Sequence, residues 1–262
     1  MKKLVLALTA VAAFSGSALA ADLPARNYSK APAYVAPAPS WTGFYIFGGA
    51  GGGLWNADNG TVSTTTLVPL GTGQRNGGSG WFGTVGAGYD WQFNGSWVAG
   101  ILADGQFGSI RGNVSDTFAS LAGSETLRTS YAAGVRLGYL VAPNVLSYVN
   151  GGYSGSQWSG SSLSSVSFGG PAVATTDSFS RNGFFIGGGV ENNLDIFGIN
   201  IPGLFMKTEY RAAYYGSVTL PETVIATGLP AATSPTFKTW NETVSTSLVY
   251  RFNWTGPVVS KY

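Results

Sequence analysis

The sequence predicts an all-β chain: an eight-stranded antiparallel transmembrane β-barrel with long extracellular loops and short periplasmic turns. Three observations lead there. Apolar residues recur at every second position in successive segments, the period of a strand with two unlike faces. Charged residues are only 10% of the 262, against about 25% in an ordinary soluble domain. The intervals between segments are alternately long and short, as in a meander that crosses one membrane repeatedly.

The chain divides in order. Lys2 and Lys3, the apolar run 4–14 and Ala18-Leu19-Ala20 form a signal peptide, residues 1–20, cleaved after Ala20. Its apolar run is too short to span a bilayer as a helix. Cleavage removes two of the 14 basic residues, leaving 12 against 12 acids, so a nucleic-acid partner loses its support. Residues 21–40 carry Pro24, Pro32, Pro37 and Pro39 and read as an extended periplasmic tether. The barrel is expected over 41–254 and a tail over 255–262.

Eight strands are expected, at 41–53, 81–93, 97–108, 125–139, 145–154, 183–191, 204–215 and 241–254. In the second, Trp81, Val85, Tyr89, Trp91 and Phe93 oppose Thr84, Asp90 and Gln92, and Asn94-Gly95 then turns the chain. In the fourth, Leu127, Thr129, Tyr131, Val135 and Leu137 oppose Arg128, Ser130 and Arg136. The seventh sets Leu204, Met206 and Tyr210 against Lys207, Glu209 and Arg211. The eighth sets Val244, Leu248, Tyr250 and Phe252 against Ser245, Ser247 and Arg251. Facing is open in the first strand, where Tyr45 and Phe47 compete with Phe44 and Ile46, and in the fifth, where Tyr148 competes with Val149. The long connections are 54–80, 109–124, 155–182 and 216–241; the others are 94–96, 140–144 and 192–203.

Alternation alone does not say which face meets water. Three features favour the apolar face outward, toward lipid. The polar face is built of small residues between its charges, which suits a narrow lumen. Aromatics gather at strand ends, among them Trp81, Trp91, Trp97, Phe107 and Tyr139, as in interfacial girdles. The strands are long enough for a tilted crossing. The intrastrand charges Asp90, Asp104, Arg128, Arg136, Glu191, Lys207, Glu209, Arg211 and Arg251 all avoid the apolar parity. In a narrow interior they must pair with one another, forming either a salt-bridged plug or a polar constriction. Lys207, Glu209 and Arg211 stand about 6.6–6.8 Å apart along their strand, so their partners are expected mostly from neighbouring strands.

Chemistry is narrowed by what the chain lacks. It has no Cys and no His, which removes thiolate metal sites, His-ligated metals and a Ser-His-Asp triad. A lipid-modifying barrel enzyme is disfavoured for the same reason. No catalytic residue, metal or cofactor is expected.

Trp41-Thr42-Gly43-Phe44-Tyr45, Gly187-Gly188-Gly189-Val190-Glu191, Lys207-Thr208-Glu209-Tyr210 and Tyr250-Arg251-Phe252 with the segment 256–262 resemble the outer-membrane immunogenic protein family of alpha-proteobacteria. The resemblance implies a surface-exposed barrel in the cell outer membrane, with an envelope-structural or narrow porin-like role, or adhesion through its long loops. It implies outer-membrane lipid and the barrel-assembly machinery as partners, with host or surface ligands at the loops, and it places the assembly signal on Tyr250 and Phe252. It departs at 192–203, which is longer and more apolar (Ile196, Phe197, Ile199, Ile201) than a tight turn. There the strands extend or the turn dips into the membrane interface.

Overall fold

The computed structural model describes residues 40–252 except 72, 117 and 200; the signal peptide, all of the tether but Ser40, and the tail lie outside the described residues. Twelve strands follow one another: β1 (Gly43–Ser63), β2 (Gln74–Phe93), β3 (Trp97–Asp116), β4 (Leu121–Ala142), β5 (Val145–Trp158), β6 (Ser161–Ser165), β7 (Ala174–Thr176), β8 (Phe179–Asn193), β9 (Leu204–Tyr215), β10 (Val218–Thr219), β11 (Glu222–Val224) and β12 (Thr233–Arg251). Eight of them close a ring, β1-β2-β3-β4-β5-β8-β9-β12, and β12 pairs back onto β1, all antiparallel. At the β2–β3 hairpin Asn94 and Gly95 both take positive φ (48° and 74°), which asparagine tolerates and glycine accepts freely.

The register gives the barrel its dimensions. From Tyr153, paired residues run through Phe184 and Tyr214 to Trp240. The other way they run through Ala133, Ala103, Ala87 and Ile46 to Tyr250. The two paths meet β12 ten residues apart (250 − 240). With that stagger over eight strands, a rise of about 3.3 Å and a spacing of about 4.8 Å give a tilt of roughly 41° and a backbone radius of roughly 8 Å. Such a lumen holds side chains and little else.

Parity resolves as alternation demanded. Phe44, Ile46, Val85, Ile101, Val135, Leu137, Val149, Ile186, Val244 and Leu248 face out and are exposed, while Tyr45, Phe47 and Tyr148 face in. Two aromatic rims bound this apolar belt. The lower holds Phe44, Trp91, Trp97, Tyr139, Tyr250 and Phe252; the upper holds Trp81 (79% exposed), Phe107, Tyr131, Tyr153 and Phe184. Ten residues separate Trp81 from Trp91, and Trp97 from Phe107, or roughly 25 Å along the axis, the height of an outer-membrane apolar band.

Above the belt the structure departs from the sequence expectation. The strands do not end there. β1 and β3 each run nine residues further, past Leu54 and Phe107 to Ser63 and Asp116, a tower roughly 22 Å tall. The expected loop 54–80 is therefore mostly strand, and β3 joins β4 through 117–120 alone. The physical reason is that the outer face turns polar (Asn56, Asp58, Ser79, Arg75) once it meets water, while the inner face, charged within the belt, gains an apolar cluster with Trp55, Ala57, Ile110, Val114 and Phe237. The apolar-out signature stops and the sheet continues. β6, β7 and β11 extend the wall beside β4, and β10 lines β12. Into 192–203 β8 lengthens only to Asn193; a 3-10 turn, Leu194–Phe197, then leads to left-handed Gly198, and Phe197, Ile199 and Ile201 stand exposed at the lower rim.

Candidate functional site

The site that the sequence singles out is the charged interior, and the fold assembles it in two layers drawn from alternate strands. The lower layer takes one charge each from β2, β4, β8 and β12. The Arg136 Nε donates to Asp90 Oδ1 at 2.8 Å and its Nη1 to Glu191 Oε2 at 3.1 Å, while its Nη2 pairs with Asp90 Oδ2. Arg251 closes the other side, with Nε donating to Glu191 Oε1 at 2.8 Å and Nη2 lying 2.9 Å from Asp90 Oδ2. In the ring the two acids face each other and so do the two arginines. The result is a four-cornered cross over the whole lumen.

Aromatic rings wall this cross in. Arg136 lies over Tyr45 at 4.3 Å and Arg251 over Trp41 at 4.2 Å. Tyr45 and Trp41 belong to a buried cluster with Val98, Leu146, Phe205 and Val249. Guanidinium faces are weakly hydrated and stack well on such rings, so arginine suits these positions better than lysine would.

The upper layer uses the other four strands. Arg211 on β9 forks onto Asp104 on β3, Nη1 and Nη2 donating to the two carboxylate oxygens at 2.9 and 2.8 Å. β3 and β9 are opposite each other in the ring, so this bidentate pair spans the barrel. Glu209 accepts from Arg211 Nη2 at 2.7 Å, Tyr148 Oη at 2.8 Å and Asn150 Nδ2 at 2.9 Å, with Lys207 Nζ at 3.8 Å. Lys207 also lies 3.3 Å above the Phe47 ring. Both bases of Glu209 therefore come from its own strand, contrary to the spacing argument; long side chains bend past the rise of two residues, and the neighbouring strands turn small residues toward them (Gly189, Ser245).

Eight of the nine intrastrand charges picked out from the sequence meet here, four acids and four bases, all buried. Arg128 does not. It is exposed on the outer wall. β4 shifts register against β5 between Leu127 and Thr129, and against β3 opposite the step from Phe107 to Ile110. This bulge turns Leu127 inward and Arg128 outward, and its removal leaves the belt interior formally neutral. Tyr250 and Phe252 are exposed on the lower rim, their rings 5.2 Å apart.

Sequence reasoning missed the inward acids of the tower: Asp116, Glu125 and Glu222, all buried. Burial pushes the Glu125 carboxyl up to about 7, and burial with the negative charge of Asp116 does the same to Glu222. The available signal was parity: on β3 the series Ile110, Val114, Asp116 continues one face beyond the expected strand end.

Comparison with known proteins joins this geometry. No family model matches the chain. The 31 kDa outer-membrane immunogenic proteins of Brucella melitensis and Brucella suis are each 34% identical to it over 164 residues, 58% of this chain. An apolar belt of outer-membrane height, a closed antiparallel ring and that relationship agree. The protein is an outer-membrane β-barrel. The chain spans 65% of the length of these relatives. Among solved structures, neisserial surface protein A is 14% identical over 82% of this chain and 99% of its own, with a TM-score of 0.39. OprG of Pseudomonas aeruginosa is 8% identical over 80% of this chain and 97% of its own, with a TM-score of 0.41. The barrel assignment itself rests on the strand pairing above.

Proposed function

We propose that the barrel is a non-enzymatic, envelope-structural element with a shut lumen, rather than a narrow pore for small solutes. The Asp104–Arg211 fork between opposite walls, stacked on the four-cornered cross, carries this reading. Every carboxylate in the belt is held by a guanidinium, so none is left to act as an acid or base on a substrate. Outer-membrane lipid covers the belt, and the assembly machinery reads Tyr250 and Phe252. Planar-bilayer recording of the refolded mature chain tests the reading: no steady conductance is expected, and stable wild-type channel steps would reject a shut lumen.

A second reading, attachment through the loops, is favoured by one observation. Leu67, Phe118, Phe168 (93% exposed) and Leu229 project from the tops of the four outer connections. Those connections are tied edge to edge by backbone bonds, Val166 N to Ser120 O, Ile225 N to Val173 O and Thr64 N to Ala232 O. Removing 166–172 should then lower attachment to a host surface with membrane integrity unchanged.

A further inference from the structure

The interior of the tower is charged unlike the interior of the belt. Asp116 on β3, Glu125 on β4 and Glu222 on β11 are each at most 1% exposed, and no base pairs with them among the described residues. The tower's own Arg75, Arg111 and Lys238 are exposed on its outside. Arg181 donates instead to the carbonyls of Gly216 and Ser217. An ionised carboxylate taken out of water with no counter-charge is strongly disfavoured. Three such groups on the tower's inner side must each hold a proton or take a counter-cation.

The unsatisfied atoms say where. Both carboxylate oxygens of Glu222 and Oδ2 of Asp116 have no hydrogen-bond partner. The other oxygen of Asp116 is occupied, accepting from Thr61 Oγ1 at 2.7 Å and from the backbone N–H groups of Phe118 and Ala119. Glu222 lies within the field of Asp116. Asn59 sits two residues below Thr61 on the same inward face of β1; it is 3% exposed, and neither atom of its amide has a partner. β2 begins opposite Asn59, at Gln74, and above that level Thr61 of β1 reaches Asp116 of β3 directly.

We propose that the top of the barrel interior binds one hard cation, Ca2+ in best accord with the donors, between Asp116, Glu222 and the Asn59 amide oxygen. All three donors are oxygen, and two belong to carboxyl groups. Among the described residues no third acidic side chain joins them as a ligand, so water completes the shell. Ca2+ accepts such an irregular set of carboxylates, amide oxygen and water, whereas Mg2+ demands near-ideal octahedral geometry. Glu125, on β4, has one oxygen 3.4 Å from Ser159 Oγ and the other unpartnered, and adds to the negative field without ligating. The ion would fasten β11, within the outermost connection, to β1 and β3.

The test uses the refolded mature chain in zwitterionic nanodiscs free of lipopolysaccharide, which would itself bind Ca2+. Ca2+ added after chelation should raise the thermal midpoint at pH 7.5, and Ca2+ should displace luminescent Tb3+ from the same site. Glu222→Gln and Asp116→Asn should each weaken binding by about tenfold or more. Asp58→Asn, an exposed partner of Arg75, should bind as wild type. Absence of Ca2+ and Tb3+ binding by the wild type overturns the proposal, and the carboxyls then hold protons. Wild-type affinity in Glu222→Gln overturns it as well. Should that variant fail to fold, Asp116→Asn and the wild-type titration decide.

Discussion

Glu209→Gln isolates what the upper layer contributes. Among the described residues Glu209 is the sole ion-pair partner of Lys207, at 3.8 Å, while Arg211 retains its bidentate pair with Asp104 when Glu209 is neutralised. The variant therefore strands one cation, Lys207, which is 4% exposed and inside the belt. Breaking a dry buried pair costs about 3–5 kcal/mol, and the Phe47 ring under Lys207 returns about 1–2 kcal/mol of that through cation–π attraction. A net loss of roughly 1–4 kcal/mol is expected. Urea titration of the barrel in lipid vesicles, followed by tryptophan fluorescence, should show the midpoint fall with an unchanged slope. The double variant Glu209→Gln with Lys207→Met should recover most of the loss, because a neutral pair leaves nothing uncompensated. A wild-type midpoint in Glu209→Gln, with no gain in the double variant, would mean that water solvates Lys207 and that the lumen is open.

The remaining expectations are smaller in scope. Val135→Arg, on the lipid face of β4, should cost about 2–4 kcal/mol of folding into bilayers, measured by the same titration. Arg128→Ala should change stability by less than about 0.5 kcal/mol, since Arg128 lies outside the ion-pair network; a loss of several kcal/mol would put it back in the lumen. Phe252→Ala should lower the amount of barrel reaching the outer membrane more than Tyr262→Ala does, as read by quantitative blotting of membrane fractions. In chelator, the Glu125 carboxyl, raised from 4.5 to about 7 by burial, contributes stability that is full below about pH 4.5 and lost as pH rises through 7. Thermal midpoints across that window should decline in wild type and decline less steeply in Glu125→Gln, which keeps the similarly raised Glu222.

The ring of eight and the facing of most of its strands were legible because two unlike faces leave a mark at every second residue. Where both faces carry aromatics, as at Phe44-Tyr45-Ile46-Phe47, the mark vanishes, and only the closed ring shows Tyr45 and Phe47 inside. Arg128 was misplaced because parity counting assumes an unbroken ladder, and a bulge breaks it with no proline or glycine beside Arg128 on β4; the glycine at the irregularity, Gly108, lies on the facing strand β3. The tower was missed for a different reason. Its strands face water outside and a core inside, the ordinary soluble pattern, so the apolar side changes from out to in as the chain leaves the belt. Leu54-Trp55 on β1 is that crossing: Leu54 is the last exposed apolar side chain of the outer face and Trp55 starts the apolar core.

The same change of surroundings accounts for the two kinds of charge in the interior. Within the belt the wall is backed by lipid, from which no counter-ion or water can be drawn, so each charge must find its partner on the chain itself. Four acids there face four bases, and aromatic rings cover what the pairs leave bare. Above the belt the wall is backed by water, and an interior acid has a second option: a counter-charge delivered from outside. Three of its bases, Arg75, Arg111 and Lys238, accordingly stand on the tower's surface, where Arg75 pairs with Asp58. An excess of interior carboxylate in the lipid-backed half would be a folding fault, whereas in the water-backed half it can be completed by a cation. The boundary between these regimes falls between Glu209 with Arg211 below and Glu125 above, the same interval in which β4 bulges at Arg128 and trades its last basic side chain above the belt to the outside.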